Sequence, residues 1–177
     1  MMKKQIWITL LFALALVGAL ALNGFAAEGL AKADKKFAME AADGGLLEVQ
    51  LGQKAQSNAQ SPDVKKFGER MVADHSKAND ELKALAQQKG ITLPSEMSGK
   101  HKKMMDKLSG TTGANFDRMY MEMMVKDHIK DVAEFRKATK KVKDPDLNAW
   151  ATKTLPTLES HLQQAREVAQ KLGLKTK

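Results

Sequence analysis

The sequence predicts an all-α protein: a ferritin-like four-helix bundle of two antiparallel hairpins, joined by a long crossover that carries a short helix. Three observations lead there. Beyond its N-terminal segment the chain is rich in Ala, Leu, Lys, Glu, Gln and Met, the strong helix formers, and lacks the β-branched and aromatic runs that strands need. Proline between a capping residue and an acid occurs twice, at Ser61-Pro62-Asp63 and Asp144-Pro145-Asp146, and each reads as a helix start. Short joints at 60–62 and 143–145 contrast with one long polar connection from Gly90 to Ala114.

The N-terminal segment stands apart from the bundle. MMKKQ, an apolar run from Ile6 to Leu22 and small residues at Gly24 and Ala26 form a secretory signal peptide over 1–26. Cleavage after Ala26 leaves one domain over 27–177. The apolar run approaches the ~20 residues of a membrane span, so an uncleaved membrane anchor is the alternative.

A first helix is expected from Asp34, as N-cap, to about Ala59, with Phe37, Ala41, Gly44, Leu47, Leu51 and Ala55 as its apolar stripe. Gly44, Gly45 and Gly52 weaken it, which points to close packing of a neighbour. The second helix opens at Pro62 and stops near Lys89-Gly90, and a short one is expected around Lys100 to Leu108. The third long helix runs from Asn115 or Phe116 to Val142, and the fourth from Pro145 to near Leu172-Gly173. Pro156 falls inside the fourth, where it removes a bond to the Thr152 carbonyl and predicts a kink or a break.

No cysteine occurs, which excludes disulfides, thiolate ligands and a lipid anchor. Net charge is +8, nearly all from lysine, and the four arginines Arg70, Arg118, Arg136 and Arg166 are scattered singly. That pattern argues against a nucleic-acid partner and leaves weak contact with anionic envelope surfaces.

Two of the four histidines sit in one repeated phrase, E-x-M-V-x-D-H-x-K, at 69–77 and 122–130. On a 3.6-residue period His75, His128 and His161 fall on the apolar stripes of three helices, and Glu48 lies at the stripe edge of the remaining one. Each lies within about three residues of its helix midpoint, so all four fall in roughly one central layer of an antiparallel bundle. One carboxylate and three imidazoles form a competent ligand set for zinc, iron or copper. The competing reading is a satisfied polar layer, with neutral imidazoles donating to Glu48. Asp74 and Asp127, each just before a histidine, either orient a histidine on a neighbouring helix or face water. His101 is read as solvent-exposed, and the Met119 to Met124 cluster as core filler. No E-x-x-H motif is present, against a di-iron carboxylate centre, and no nucleophile with a matched base is visible.

The run FAMEAADGGLLEVQLG from Phe37 to Gly52, Met71 with Asp74-His75, Phe116-Asp117 with Tyr120, Met124-Val125 and His128, and Leu155-Pro156 with His161-Leu162 together resemble the bacterial domain-of-unknown-function 4142 family. The resemblance covers nearly the whole mature chain. It implies a ferritin-like bundle in exported proteins, often labelled predicted outer-membrane proteins, with no settled activity. The label fits poorly, since the chain has neither barrel strands nor a lipid acceptor. The leading expectation is an exported periplasmic or cell-envelope bundle, non-catalytic and stress- or envelope-associated. The alternative is a metal-binding bundle with a central site of Glu48, His75, His128 and His161.

Overall fold

The computed structural model describes residues 30–175, so the expected signal peptide and its cleavage point lie outside the described residues. Five helices follow in order: α1 Lys32–Asn58, α2 Pro62–Gln88, α3 Gly99–Lys107, α4 Gly113–Lys141 and α5 Pro145–Lys171. α1 packs chiefly on α2 and α4 on α5, the hairpins close through α2 on α5 and α1 on α4, and α3 lies against α1. This is the ferritin-like four-helix bundle, with α3 inside the crossover. Ion pairs fix the antiparallel sense of α2 and α5: Lys89, which ends α2, reaches Asp144 at 2.7 Å, and Lys171, the last residue of α5, reaches Asp63 at 2.8 Å.

Pro62 and Pro145 each open a helix, where the missing N–H costs nothing. The Asp144 carboxylate accepts the Leu147 N–H at 2.9 Å and caps α5. Asp34 does not cap α1 as expected. The helix starts at Lys32, and Asp34 is buried in its first turn, accepting the backbone N–H groups of Lys143 and Asp144 at 3.0 and 2.9 Å. Asp117 of α4 does the same for the other hairpin, accepting the N–H groups of Gln60 and Ser61 at 3.0 and 2.8 Å. Each tight inter-helix joint is thus tied down by a buried carboxylate of the opposite hairpin.

These paired ties reveal an internal two-fold relation. A displacement of 83 residues carries Asp34 to Asp117, Pro62–Gln88 onto Pro145–Lys171, and the positive-φ Gly90 onto Gly173. It also relates Glu48 to Asp131.

The α1 stripe differs from expectation in its first half, where Ala38, Ala42 and Gly45 are buried rather than Phe37, Ala41 and Gly44. Small residues take the central positions, while Phe37 reaches sideways to Phe135 and Trp150, with ring centroids 5.2 and 6.2 Å away. Close packing explains two of the three glycines. A Cβ on Gly45 would lie 1.9 Å from the Asn79 side chain, and one on Gly52 2.6 Å from the Gly68 carbonyl, whereas one on Gly44 would meet nothing within 4 Å. Pro156 does not break α5, which runs continuously from Pro145 to Lys171. Pro156 and Thr152 are both exposed, so the carbonyl that loses its donor lies on the solvent side of the helix, where water can bond to it.

Candidate metal centre

α2, α4 and α5 bring His75, His128 and His161 together in the middle of the bundle. Their ring centroids lie 5.9 Å (His75 to His128), 5.3 Å (His75 to His161) and 5.4 Å (His128 to His161) apart. His128 and His161 are fully buried and His75 is 8% exposed. Each ring offers a nitrogen within 4.8 Å of the other two.

Hydrogen bonds settle which nitrogen is free in two of the three rings. His128 Nδ1 donates to the Met124 carbonyl at 3.0 Å, one turn back along α4, which leaves the lone pair on Nε2. His161 Nε2 donates to Asp74 Oδ2 at 2.7 Å, across from α5 to α2, which leaves the lone pair on Nδ1. His128 Nε2, His161 Nδ1 and His75 Nε2 are all buried and without a hydrogen-bond partner. Buried polar atoms ordinarily find partners, so three orphaned imidazole nitrogens in one small volume need an explanation.

Electrostatics keep the rings neutral. Burial pushes His75 well below its ordinary range, with further lowering from His128 and His161. Burial, then His161, pulls His128 down to about 3, against the pull of the Met124 carbonyl. Burial lowers His161 as well, although its bond to Asp74 opposes this. Burial would raise Asp74, but its bonds to His161 and to Arg70 outweigh that and hold it below the usual carboxylate range. Arg70 Nε lies 3.2 Å from Asp74 Oδ2, and its other nitrogens bond to Gln164 and Ser160, so Asp74 is itself held in place. A carboxylate fixing the far nitrogen of a histidine is the usual support of a metal-ligating imidazole. Neutral imidazoles with inward lone pairs are ready to coordinate.

Glu48 is 1% exposed and shares the central layer, but it does not join the imidazoles through a hydrogen bond. Its Oε1 lies 3.9 Å from His128 Nδ1, and that nitrogen is already committed to the Met124 carbonyl. Glu48 groups instead with Asp127 and Asp131 of α4. Among the described residues Asp127 has no hydrogen bond to a histidine, unlike Asp74. Burial, and then the charges of Asp127 and Asp131, push Glu48 well above the ordinary carboxyl range. A polar layer of imidazoles donating to Glu48 is not what this geometry holds.

His101 is a correction. It is 6% exposed rather than solvent-facing, because α3 lies on α1 and places His101 Nδ1 3.0 Å from Asp43 Oδ2. Asp43 also accepts the Ser98 N–H at 2.7 Å, so one α1 side chain docks the start of α3. No local signal in HKKMMDK discloses this, since the partner lies in another helix. Met121 and Met124 are buried among Phe67, Phe116 and Tyr120, as core filler.

Two openings reach the cluster. A cavity of about 290 Å³ is lined by His75, Asp127, Asp131 and Trp150, among others, and one of about 110 Å³ on another face reaches His75, Asp74 and His161.

The model of the family described as domain of unknown function (DUF4142) matches residues 20–168. No curated protein sequence matches the chain. Among solved structures the fold is similar to CopM in its Cu(II)-bound form, at 19% identity and a TM-score of 0.66, covering 78% of this chain and 96% of that one. CopM has also been solved in Ag-bound and Cu(I)-bound forms. A putative secreted DUF305 protein from Streptomyces coelicolor is similar at 13% identity and a TM-score of 0.71, over 82% of this chain and 95% of that one. A DUF305 fragment from Deinococcus radiodurans follows at 14% and 0.70, over 81% and 99%.

Proposed function

This chain belongs to the DUF4142 family, and from that premise we propose that it is an exported copper-binding bundle, with His75, His128 and His161 as its ligands. One observation carries the reading: three buried imidazoles, each with a ring nitrogen that has no hydrogen-bond partner, bring one nitrogen apiece within 4.8 Å of one another. Three neutral nitrogens suit copper in either oxidation state, and Ag(I) as its mimic; zinc also accepts them but ranks below Cu(II) at nitrogen sites. That CopM, similar in fold, was captured with Cu(II), Cu(I) and Ag supports copper over zinc or iron. The role is binding rather than turnover, in the periplasm or cell envelope to which the N-terminal segment directs the chain.

The test is titration of the mature, untagged, chelator-treated protein with Cu(I) and Ag(I). One equivalent of each binds tightly. Substituting any one of the three histidines with Gln weakens binding by more than about 10-fold, the least that loss of a ligand's supporting partner costs. Binding retained by the triple variant would place the metal elsewhere and end the reading.

A further inference from the structure

The histidine cluster leaves a second buried group unexplained. Glu48 comes from α1 and Asp127 and Asp131 from one turn of α4; each offers a carboxylate oxygen within 4.8 Å of the other two. Both oxygens of Glu48 are buried and without a hydrogen-bond partner, in a side chain that is 1% exposed. The Tyr120 hydroxyl is likewise buried and unpaired, and it feels the Glu48 charge. The internal two-fold relation makes Glu48 and Asp131 equivalent positions, so the two halves of the chain each supply one carboxylate to a shared centre.

Three carboxylates in a low-dielectric interior repel one another unless something positive lies between them. The nearest lysine does not serve all three. Lys130 Nζ lies 3.9 Å from Asp131 and 3.4 Å from Glu134, at the rim, and no ion pair joins a lysine or arginine to Glu48 among the described residues. In the metal-free protein a proton held between Glu48 and the Asp127 carboxyl relieves part of that repulsion, and it is this proton that an incoming cation displaces.

We propose that Glu48, Asp127 and Asp131 bind a hard, oxygen-preferring divalent cation at a site separate from the three histidines. The ligand set is all oxygen, the preference of Mg, Ca and Mn rather than of copper. Its spacing suits octahedral oxygens, which stand ~3–4 Å apart around metal–oxygen bonds of ~2.1 Å. Separation from the histidines follows from His128, whose Nδ1 faces the Glu48 side but is held by the Met124 carbonyl, while its free Nε2 belongs to the imidazole cluster. The cavity of about 290 Å³ supplies access, since it opens on Asp127 and Asp131 and carries Glu40, Asp43 and Glu134 in its lining, partly offset by Lys100 and Lys130.

Mn(II) is the probe, followed by electron paramagnetic resonance of the unbound ion in chelator-treated full mature protein, with and without Ag(I). The wild type takes up one Mn(II), whether or not Ag(I) is present. Glu48→Gln and Asp131→Asn each weaken that uptake at least ten-fold and leave Ag(I) binding intact, and His161→Gln does the converse. Thermal melts confirm that the variants fold, and Asp131→Asn, which is less buried, stands in if Glu48→Gln does not. No Mn(II) uptake by the wild type, uptake undiminished in both carboxylate variants, or uptake lost in His161→Gln would each overturn the proposal. Failure of Ag(I) binding alone would end the copper reading and leave this one standing.

Discussion

At the scale of single residues, Asp74 decides how the candidate centre is set. Its carboxylate holds the Nε2 proton of His161 at 2.7 Å, so the lone pair of that ring turns inward, and Arg70 keeps the carboxylate in place. Asp74→Asn keeps the shape but loses the charge that makes His161 a better donor. Copper or silver affinity should fall about 10- to 100-fold, the usual effect of removing a ligand's orienting partner. Nitrogen chemical shifts of His161 should report a changed tautomer balance, while the melting temperature changes little because Asp74 is half-exposed. Unchanged affinity would reduce Asp74 to a surface partner of Arg70. From sequence, Asp74 and Asp127 occupy identical places in a repeated phrase and cannot be told apart. The structure separates them through neighbours on other helices: His161 beside the first, and Glu48 with Asp131 beside the second.

At the scale of elements, the glycines of α1 show what local pattern conveys and what it leaves out. Gly44→Ala should stabilise the protein by roughly 0.5–1 kcal/mol, because a Cβ there enters open space and a helical glycine costs backbone entropy. Gly52→Ala should destabilise it by about 1–3 kcal/mol, because the Cβ would meet the Gly68 backbone at 2.6 Å. Denaturant midpoints for the pair give the check, and equal effects would show that α1 and α2 approach less closely than the structure places them. Both residues look alike in the sequence. Helix existence, order and punctuation were legible there, because a 3.6-residue period and the Pro-Asp starts are local signals. The central layer was legible too, since helix midpoints stay level in an antiparallel bundle. The exact face of α1 was not, because Phe37 serves a lateral aromatic contact with Phe135 and Trp150 rather than the bundle axis. Nor were Asp34 and Asp117, whose work is to bind backbone N–H groups roughly a hundred and roughly sixty residues away in sequence. The internal two-fold relation is hidden for the same reason: equivalent positions such as His75 and Leu158 share no chemistry, and only scattered matches such as Asp34 with Asp117, Pro62-Asp63 with Pro145-Asp146 and Gly90 with Gly173 mark it.

At the scale of the whole molecule, the buried clusters set opposing slopes on stability against pH in the metal-free protein. The three histidines have folded values below their ordinary 6.5, so the unfolded chain takes up protons that the native state refuses, and stability falls as pH drops below about 6.5. Glu48 and Asp131 act the other way. Burial, with Asp127 adding to it, pushes Asp131 up to about 8 and Glu48 well above 4.5, so the native state holds protons that the unfolded chain has released. Their stabilisation is complete below the unfolded carboxyl values and is lost as pH rises through the folded ones. Asp43, Asp74, Glu96 and Asp144 are lowered from values already acidic, and Tyr120 and the shifted lysines titrate above the window, so none alters the balance between about pH 5 and 8. Up to three protons taken up by the unfolded chain oppose up to two held by the native one, so the acid limb is shallower than the histidines alone would make it. Above pH 6.5 only the carboxyls count, and stability falls again toward pH 8. The optimum therefore lies between the two limbs, inside the window from about pH 5 to 8. Glu48→Gln removes one native-held proton, so its optimum should move upward and its acid limb should steepen, which chemical denaturation across pH 5 to 8 can follow. An optimum that stays in place would show that Glu48 is ionised in the native protein despite its burial. Copper added to the wild type should raise stability across the whole window and leave the slope of the acid limb nearly unchanged, because the native imidazoles it occupies carry no protons to displace.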